Sequence, residues 1–300
     1  MTTDFTPEVS VVMAIRNEQE YIVAALESIC AQEGVTLEVV VVDDGSTDPT
    51  REIVAELAQR RQGIRLESNP GRGKVAAFNH GVEQSRGRFV CLFAGDDVMP
   101  PGSLRARWEV TQPDSADCPV CSLSKIKTLS ADARYDGHVV PRAKGRGNPS
   151  GQSPLMNRRA VSLLFPVPDT LPNEDTWLEI AFSHLAELEV RHTDTICCLW
   201  RVHAGNTYNH TMPHAQFKQR MENRWRAHDL FLAKFSGRMT PEVRHRLERA
   251  IACNRAYARG SIWGVWFSGT GLKDRLRALG TINPFFFGLR RRFYGFFSGW

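Results

Sequence analysis

Arg88-Phe89-Val90-Cys91-Leu92-Phe93 runs straight into Ala94-Gly95-Asp96-Asp97. An apolar run of strand length reads as a strand buried on both faces, and here it stops at two adjacent carboxylates. Neighbouring carboxylates repel each other, so the pair costs energy unless a cation is shared between them. Hard Mg²⁺ or Mn²⁺ suits carboxylate oxygen. A solvated turn that merely ends the strand is the alternative, and the rest of the chain decides between the two.

Upstream, the same pattern recurs. Val9 to Ile15 is a near-continuous apolar run, and Asn17 with Glu20 offers a capping pair for a helix whose apolar positions are Ile22, Ala25, Leu26 and Ile29. Leu37 to Val42 is a second strand and runs into Asp43-Asp44-Gly45-Ser46-Thr47-Asp48. Pro49 suits the first turn of a following helix with Asp48 as its cap. Ile64-Arg65-Leu66 is a short third strand. The glycine-rich basic loop Asn69-Pro70-Gly71-Arg72-Gly73-Lys74 then precedes a helix from Val75 to Gln84. Four strands alternate with three helices, which predicts an α/β fold with a doubly wound, mostly parallel sheet, helices on both faces and right-handed crossovers. Ligands of such sheets bind outside the carboxyl ends of the strands. Both Asp pairs and the Lys74 loop fall on that rim.

Downstream, residues 119–129 read as a strand, and Arg134 to Ser153 is polar and without period, a functional or mobile loop by its length. Asn173-Glu174-Asp175 precedes a helix from Trp177 to Leu188, and Ile196 to Val202 is a strand that ends at His203. Beyond Pro213 the pattern is helical, over roughly 214–235 and 241–259. A boundary near residue 210 is expected.

Four stretches together resemble family 2 glycosyltransferases: Ser10 to Glu18, Val41 to Asp48, Asn69 to Asn79, and Ala94 to Asp97. They follow in the family's order and spacing, within about residues 8–205. The resemblance implies a GT-A catalytic domain over 1–210, with a nucleotide-sugar-binding half (1–98) and an acceptor-binding half (99–210). Residues 211–300 would then form a helical extension. It implies transfer of a sugar from a nucleoside-diphosphate sugar to a glycan or lipid-linked acceptor, with inversion, in cell-surface polysaccharide or glycolipid synthesis. Mg²⁺ or Mn²⁺ across the diphosphate would act as a Lewis acid as the nucleotide leaves. By the same resemblance Asp96 and Asp97 form the metal and ribose site, with Asp97 favoured as the direct ligand. Ala94 departs from the family's common Asp-x-Asp-Asp form. Ala14, Arg16, Asp44, Arg72 and Lys74 line the nucleotide-sugar. Asp175 is assigned as the base that takes the acceptor proton, and Glu174 orients the acceptor. His203 is a metal or phosphate ligand and Arg201 a phosphate partner.

Two rival functions remain at this level. A nucleotidyltransferase uses a similar sheet, but its glycine-rich, arginine-containing loop after the first strand is missing where Arg16-Asn17-Glu18 stands. A catalytically inactive carbohydrate-binding relative is permitted by Ala94 and opposed by the retained Asp97 and Asp175.

An apolar fraction of 42% and a charged fraction of 24% are those of an ordinary globular protein. No apolar run reaches membrane-span length, and the first residues lack the pattern of a secretory signal, so a cytoplasmic location is expected. Seven cysteines at irregular spacing fit reduced thiols, with Cys118 and Cys121 read as buried apolar residues in preference to a zinc site. The net charge of +5 is carried by residues 271–300, which hold six Lys and Arg against one Asp. A formally neutral body argues against a nucleic-acid-binding surface. The segment 284–300 interleaves phenylalanines with Arg290, Arg291 and Arg292, which suits peripheral attachment to an anionic membrane at its inner face; folding of the tail onto its own domain is the alternative. Nothing in the pattern sets the oligomeric state.

Overall fold

The apolar runs form the parallel half of one sheet. The computed structural model describes residues 6–113, 117–202 and 212–292, with side chains to Arg290. In it β1 (Val9–Ile15), β2 (Leu37–Asp43), β3 (Ile64–Ser68) and β4 (Phe89–Ala94) are joined by α1 (Ile22–Cys30), α2 (Thr50–Arg60) and α3 (Lys74–Gln84). β1 pairs in parallel with β2 and with β4, and β2 with β3. Ile15 stands opposite Asp43, and Ala14 opposite Ala94, so the three central strands end level with one another. That register brings the loops carrying Glu18, Asp44 and Asp96 to one rim.

Helices cover both faces because both faces are apolar. Ile22, Ala25, Leu26 and Ile29 of α1 are buried with Val9, Val11, Met13 and Ile15 in one core. Each of the larger of these side chains contributes on the order of 1.5–3 kcal/mol by leaving water. α3 covers the other face, where Gly81 lies against Val12 and Val42.

The sheet continues through α4 (Ser103–Thr111), β5 (Val120–Leu129), the two-residue β6 (Val139–Val140), β7 (Leu155–Asn157) and α5 (Arg158–Leu164). The order is β3-β2-β1-β4-β7-β5-β6. β7 runs antiparallel to β4 and β5, and β8 (Glu189–Arg201) lies parallel beside β5.

Two local expectations are corrected. Asn17 does not cap α1, whose N-cap is Tyr21 without a side-chain bond. Asn17 instead adopts φ 56° and its side chain accepts from Thr47 N (2.8 Å), joining the loop after β1 to the loop after β2. Pro49 is the N-cap of α2 and not its first residue, while Asp48 accepts from Thr50 N at 3.0 Å. The stretch from Arg134 to Ser153, though aperiodic, is tied down. Gly145 N donates to Asp194 (2.9 Å), Gly147 N to His192 (3.1 Å) and Asn148 N to Ser124 O (2.7 Å). The wholly buried Arg107 holds its far end through the carbonyls of Ser153 and Pro154, at 2.9 and 3.1 Å.

The chain divides into two compact units, 1–170 with 187–203, and 171–186 with 204–300. The boundary expected near 210 falls among residues outside those described. The helical unit also takes α6 (Asp175–His184), which the sequence reading left in the catalytic body. Its other helices are α7 (His214–Phe235), α8 (Pro241–Ala258), α9 (Ile262–Trp266), α10 (Leu272–Leu279) and α11 (Pro284–Arg292). Trp177 of α6 is fully buried edge-on to Phe231 of α7, with ring centroids 4.9 Å apart. A second core joins Cys253, Ala256 and Tyr257 of α8 to Val265, Ala278 and Ile282.

Candidate functional site

Asp44 closes the glycine-rich loop. Its Oδ1 accepts from Asn69 Nδ2 at 2.6 Å and from Gly73 N at 2.8 Å, so one carboxylate oxygen folds the loop back over the end of β2. Asp43 is buried and supports the turn, accepting from Ser46 N and Oγ. Lys74 begins α3 and lies near enough to Glu18 to lower the cost of its ionisation. Ala14 is at the rim end of β1, and Arg16 and Arg72 are exposed in the rim loops.

The two carboxylates after β4 have different surroundings. Asp97 is completely buried: Oδ1 accepts from Arg201 N (2.6 Å), and Oδ2 from the side-chain amide of Gln152. The Cys198 thiol in turn donates to Gln152 Oε1 at 2.9 Å. The paired N–H bonds between Val98 and Leu199 bring β8 beside this turn, which is why Arg201 N reaches Asp97. Asp96 is only half-buried, and its carbonyl accepts from Arg201 Nε at 2.8 Å. The Arg201 guanidinium lies over the Tyr21 ring, 4.6 Å from its centroid.

Negative charge accumulates here. Burial first, and the charge of Asp96 second, push the Asp97 carboxyl up to about 7. Burial, then Asp96, Asp97 and Asp48, push Glu18 up to about 8, and Lys74 offsets only part of this. Hard oxygen donors whose ionisation is mutually resisted are what a divalent cation relieves. The half-buried carboxylates at this rim, Asp96 and Glu18, therefore fit Mg²⁺ or Mn²⁺. No group of three or more His, Cys, Asp or Glu able to hold a metal occurs among the described residues. Mg²⁺ commonly takes one or two carboxylates and completes its shell with substrate phosphate and water.

In the helical unit, Glu174 is the N-cap of α6 and is 2% exposed, whereas Asp175 is half-buried and its Oδ2 accepts from Asn173 Nδ2 at 3.2 Å. His203 lies outside the described residues. Cys121, Cys197 and Cys198 are buried thiols, and burial pushes all three up; Cys118 is not buried and donates to Glu189 at 3.6 Å.

Sequence reasoning gave no role to Glu18, Asn69 or Gln152. Glu18 and Asn69 stood inside the quoted motifs, so their polarity at a strand end was the available signal. Gln152 had none, because its partner Asp97 is 55 residues away.

These loops stand at one rim of a doubly wound, mostly parallel sheet, which defines the α/β class of the fold. Residues 10–167, more than half of the chain, match the model of glycosyl transferase family 2, and the chain belongs to that family. The succinoglycan biosynthesis protein ExoO of Rhizobium meliloti is 39% identical over 132 residues, covering 44% of this chain and 36% of that protein. The chondroitin synthase of Pasteurella multocida is 32% identical over 134 residues, 45% of this chain and 13% of that one. The chain thus matches 36% of the length of the first of these relatives and 13% of the second. The fold is shared with TarS of S. aureus, solved with UDP-GlcNAc, at TM-score 0.60, 18% identity, and coverage of 92% of this chain and 80% of that one. It is shared also with a mannosyltransferase from Pyrobaculum calidifontis, solved with GDP-Man and Mn²⁺, at TM-score 0.59 and 17% identity, covering 99% and 82%.

Proposed function

We propose that this chain moves a sugar from a nucleoside-diphosphate sugar to a hydroxyl of a polysaccharide or lipid-linked glycan, with inversion. The observation that carries the reading is the asymmetry of the Asp pair: Asp97 is buried as a scaffold and Asp96 is left at the rim. The family membership and the relatives in polysaccharide synthesis support the same reaction. Asp96 replaces Asp97 as the residue that would hold Mg²⁺ or Mn²⁺, because the Asp97 oxygens are engaged by Arg201 and Gln152. When bound, that ion supplies charge neutralisation for the departing diphosphate. Asp97 is a positioning residue, holding β8 and the Arg134–Ser153 segment against the Asp96 turn.

Asp44 and the loop it closes bind the nucleotide, with Lys74 and Arg201 as cations for its phosphates. Asp175 takes the proton of the acceptor hydroxyl as the acceptor oxygen bonds to the anomeric carbon. The carbon–oxygen bond to the diphosphate breaks on the opposite side, which inverts the centre. Asp175 suits the base better than Glu174 because a carboxylate that is 2% exposed has little access to an acceptor.

Release of nucleoside diphosphate from a panel of nucleotide-sugars, with and without EDTA, tests this. Release is expected to need the divalent ion, to fall at least 100-fold in Asp96→Ala, and to fall about 10²–10⁴-fold in Asp175→Asn with donor affinity retained. Turnover that survives both EDTA and Asp96→Ala would remove the metal from the reading. Pyrophosphate formed from a nucleoside triphosphate and a sugar phosphate would assign nucleotidyl transfer instead.

A further inference from the structure

The largest apolar side chains left in water are concentrated in the last helices. Of ten exposed large hydrophobic residues among those described, eight lie between Ile262 and Leu289. Trp263 is 71% and Phe267 75% exposed, with their rings stacked at 6.0 Å. Single exposed apolar residues are ordinary, but a contiguous aromatic patch marks a binding surface.

The helices show why these side chains face outward. Val265 of α9 and Ala278 of α10 are buried against α8. In α10 this leaves Leu272 and Leu276, four residues apart, exposed on the opposite face beside the exposed Lys273 and Arg277. Arg275 Nη1 donates to Trp266 O at 2.9 Å and so ties α10 to α9. In α11, Phe287 is spent on Phe217 and His214, with centroids 5.0 and 5.3 Å away, and Phe286 packs on the second core. Phe285, 73% exposed, and Leu289 remain outward. The sequence led to an expected membrane contact over the whole tail from 284 to 300; in the structure two of its phenylalanines turn inward, and α9 and α10 carry further exposed apolar side chains.

We infer that the outward faces of α9, α10 and α11 form a docking surface for an anionic lipid bilayer. Trp263, Phe267, Leu272 and Leu276 enter at the acyl boundary while Lys273 and Arg277 meet headgroup phosphates. Two observations favour a bilayer over a second copy of the chain. All the net positive charge lies in residues 271–300, so two such faces repel each other, whereas an anionic surface attracts them. A stacked, exposed Trp and Phe on one helix and exposed cations on the next match the chemistry of the interfacial zone. The inferred contact is peripheral; no helix among the described residues is long and apolar enough to cross a membrane. The inference does not depend on the proposed reaction.

Flotation of the full chain with vesicles tests it, comparing pure phosphatidylcholine with a mixture containing phosphatidylglycerol. The chain is expected to float with the anionic vesicles and to be released by salt. Trp263→Ser with Phe267→Ser is expected to lower partitioning at least tenfold. Lys273→Ala with Arg277→Ala is expected to lower it roughly 25-fold, about fivefold per charge. All four side chains are exposed, so the melting temperature should be unchanged. Wild-type protein left unfloated, or variants that float like wild type, would overturn the inference. So would sedimentation showing a wild-type dimer that the Trp263 and Phe267 changes dissociate. Flotation without nucleoside diphosphate release would leave this surface standing and remove the reaction.

Discussion

Gly147→Ala isolates the segment that carries Gln152 to Asp97. A Cβ at position 147 would stand 2.1 Å from the Leu123 carbonyl oxygen and 2.7 Å from Leu123 Cβ, against backbone that has no rotamer to yield. The segment must lift from β5, and the bonds from Gly145 to Asp194, Gly147 to His192 and Asn148 to Ser124 go with it. At about 0.5–1.5 kcal/mol each, these amount to roughly 2–4 kcal/mol, or a fall in melting temperature of about 5–15 °C. Gly145→Ala is the control: nothing lies within 4 Å of its Cβ, and only its φ of +68° is strained, at about 1–2 kcal/mol. Thermal melts of both variants, followed by titration with nucleoside diphosphate, make the comparison. The 147 variant should melt lower and bind more weakly, since displaced Gln152 no longer orders the Asp97 turn. Equal melting of the two, or tighter binding by the 147 variant, would refute the reasoning.

Two further outcomes follow from the same geometry. Asp97 titrates near 7 when folded against 3.8 as its ordinary value, so its neutral form stabilises the protein below about pH 4 and that contribution is lost as the pH rises to 7. Without divalent ions, wild type should therefore lose on the order of 2–3 kcal/mol between pH 5 and 8 relative to Asp97→Asn; parallel melting curves across that range would contradict it. Asn69→Ala removes the 2.6 Å bond to Asp44 and the 3.0 Å bond from Gly71 N. It should raise the donor KM about tenfold with kcat nearly unchanged, and a change in kcat alone would place Asn69 outside the nucleotide loop.

Much of the parallel part of the sheet was legible because its information is local. Burial of a parallel strand on both faces forces an unbroken apolar run, and Val9–Ile15 and Phe89–Ala94 lie within a residue of where that rule placed them. The stripe Ile22, Ala25, Leu26 and Ile29 faced the sheet as its spacing required. Asp44 and Asp96 reached one rim because parallel strands in register end together. Cap residues were less legible: Asn17 and Asp48 have the chemistry of caps, yet bonds to the neighbouring rim loop claimed Asn17.

Contacts between residues far apart in the chain belonged to the tertiary structure alone. Adjacent carboxylates look alike in sequence, and only β8 and Gln152 distinguish buried Asp97 from Asp96. Nothing in the composition of α6 showed that Trp177 would bury itself against Phe231 and draw Glu174 and Asp175 into the helical unit. The tail advertised its arginines and phenylalanines, but which phenylalanines face water depends on what α7 and α8 cover. Periodicity reports which side of an element is apolar; only packing reports whether that side finds a partner.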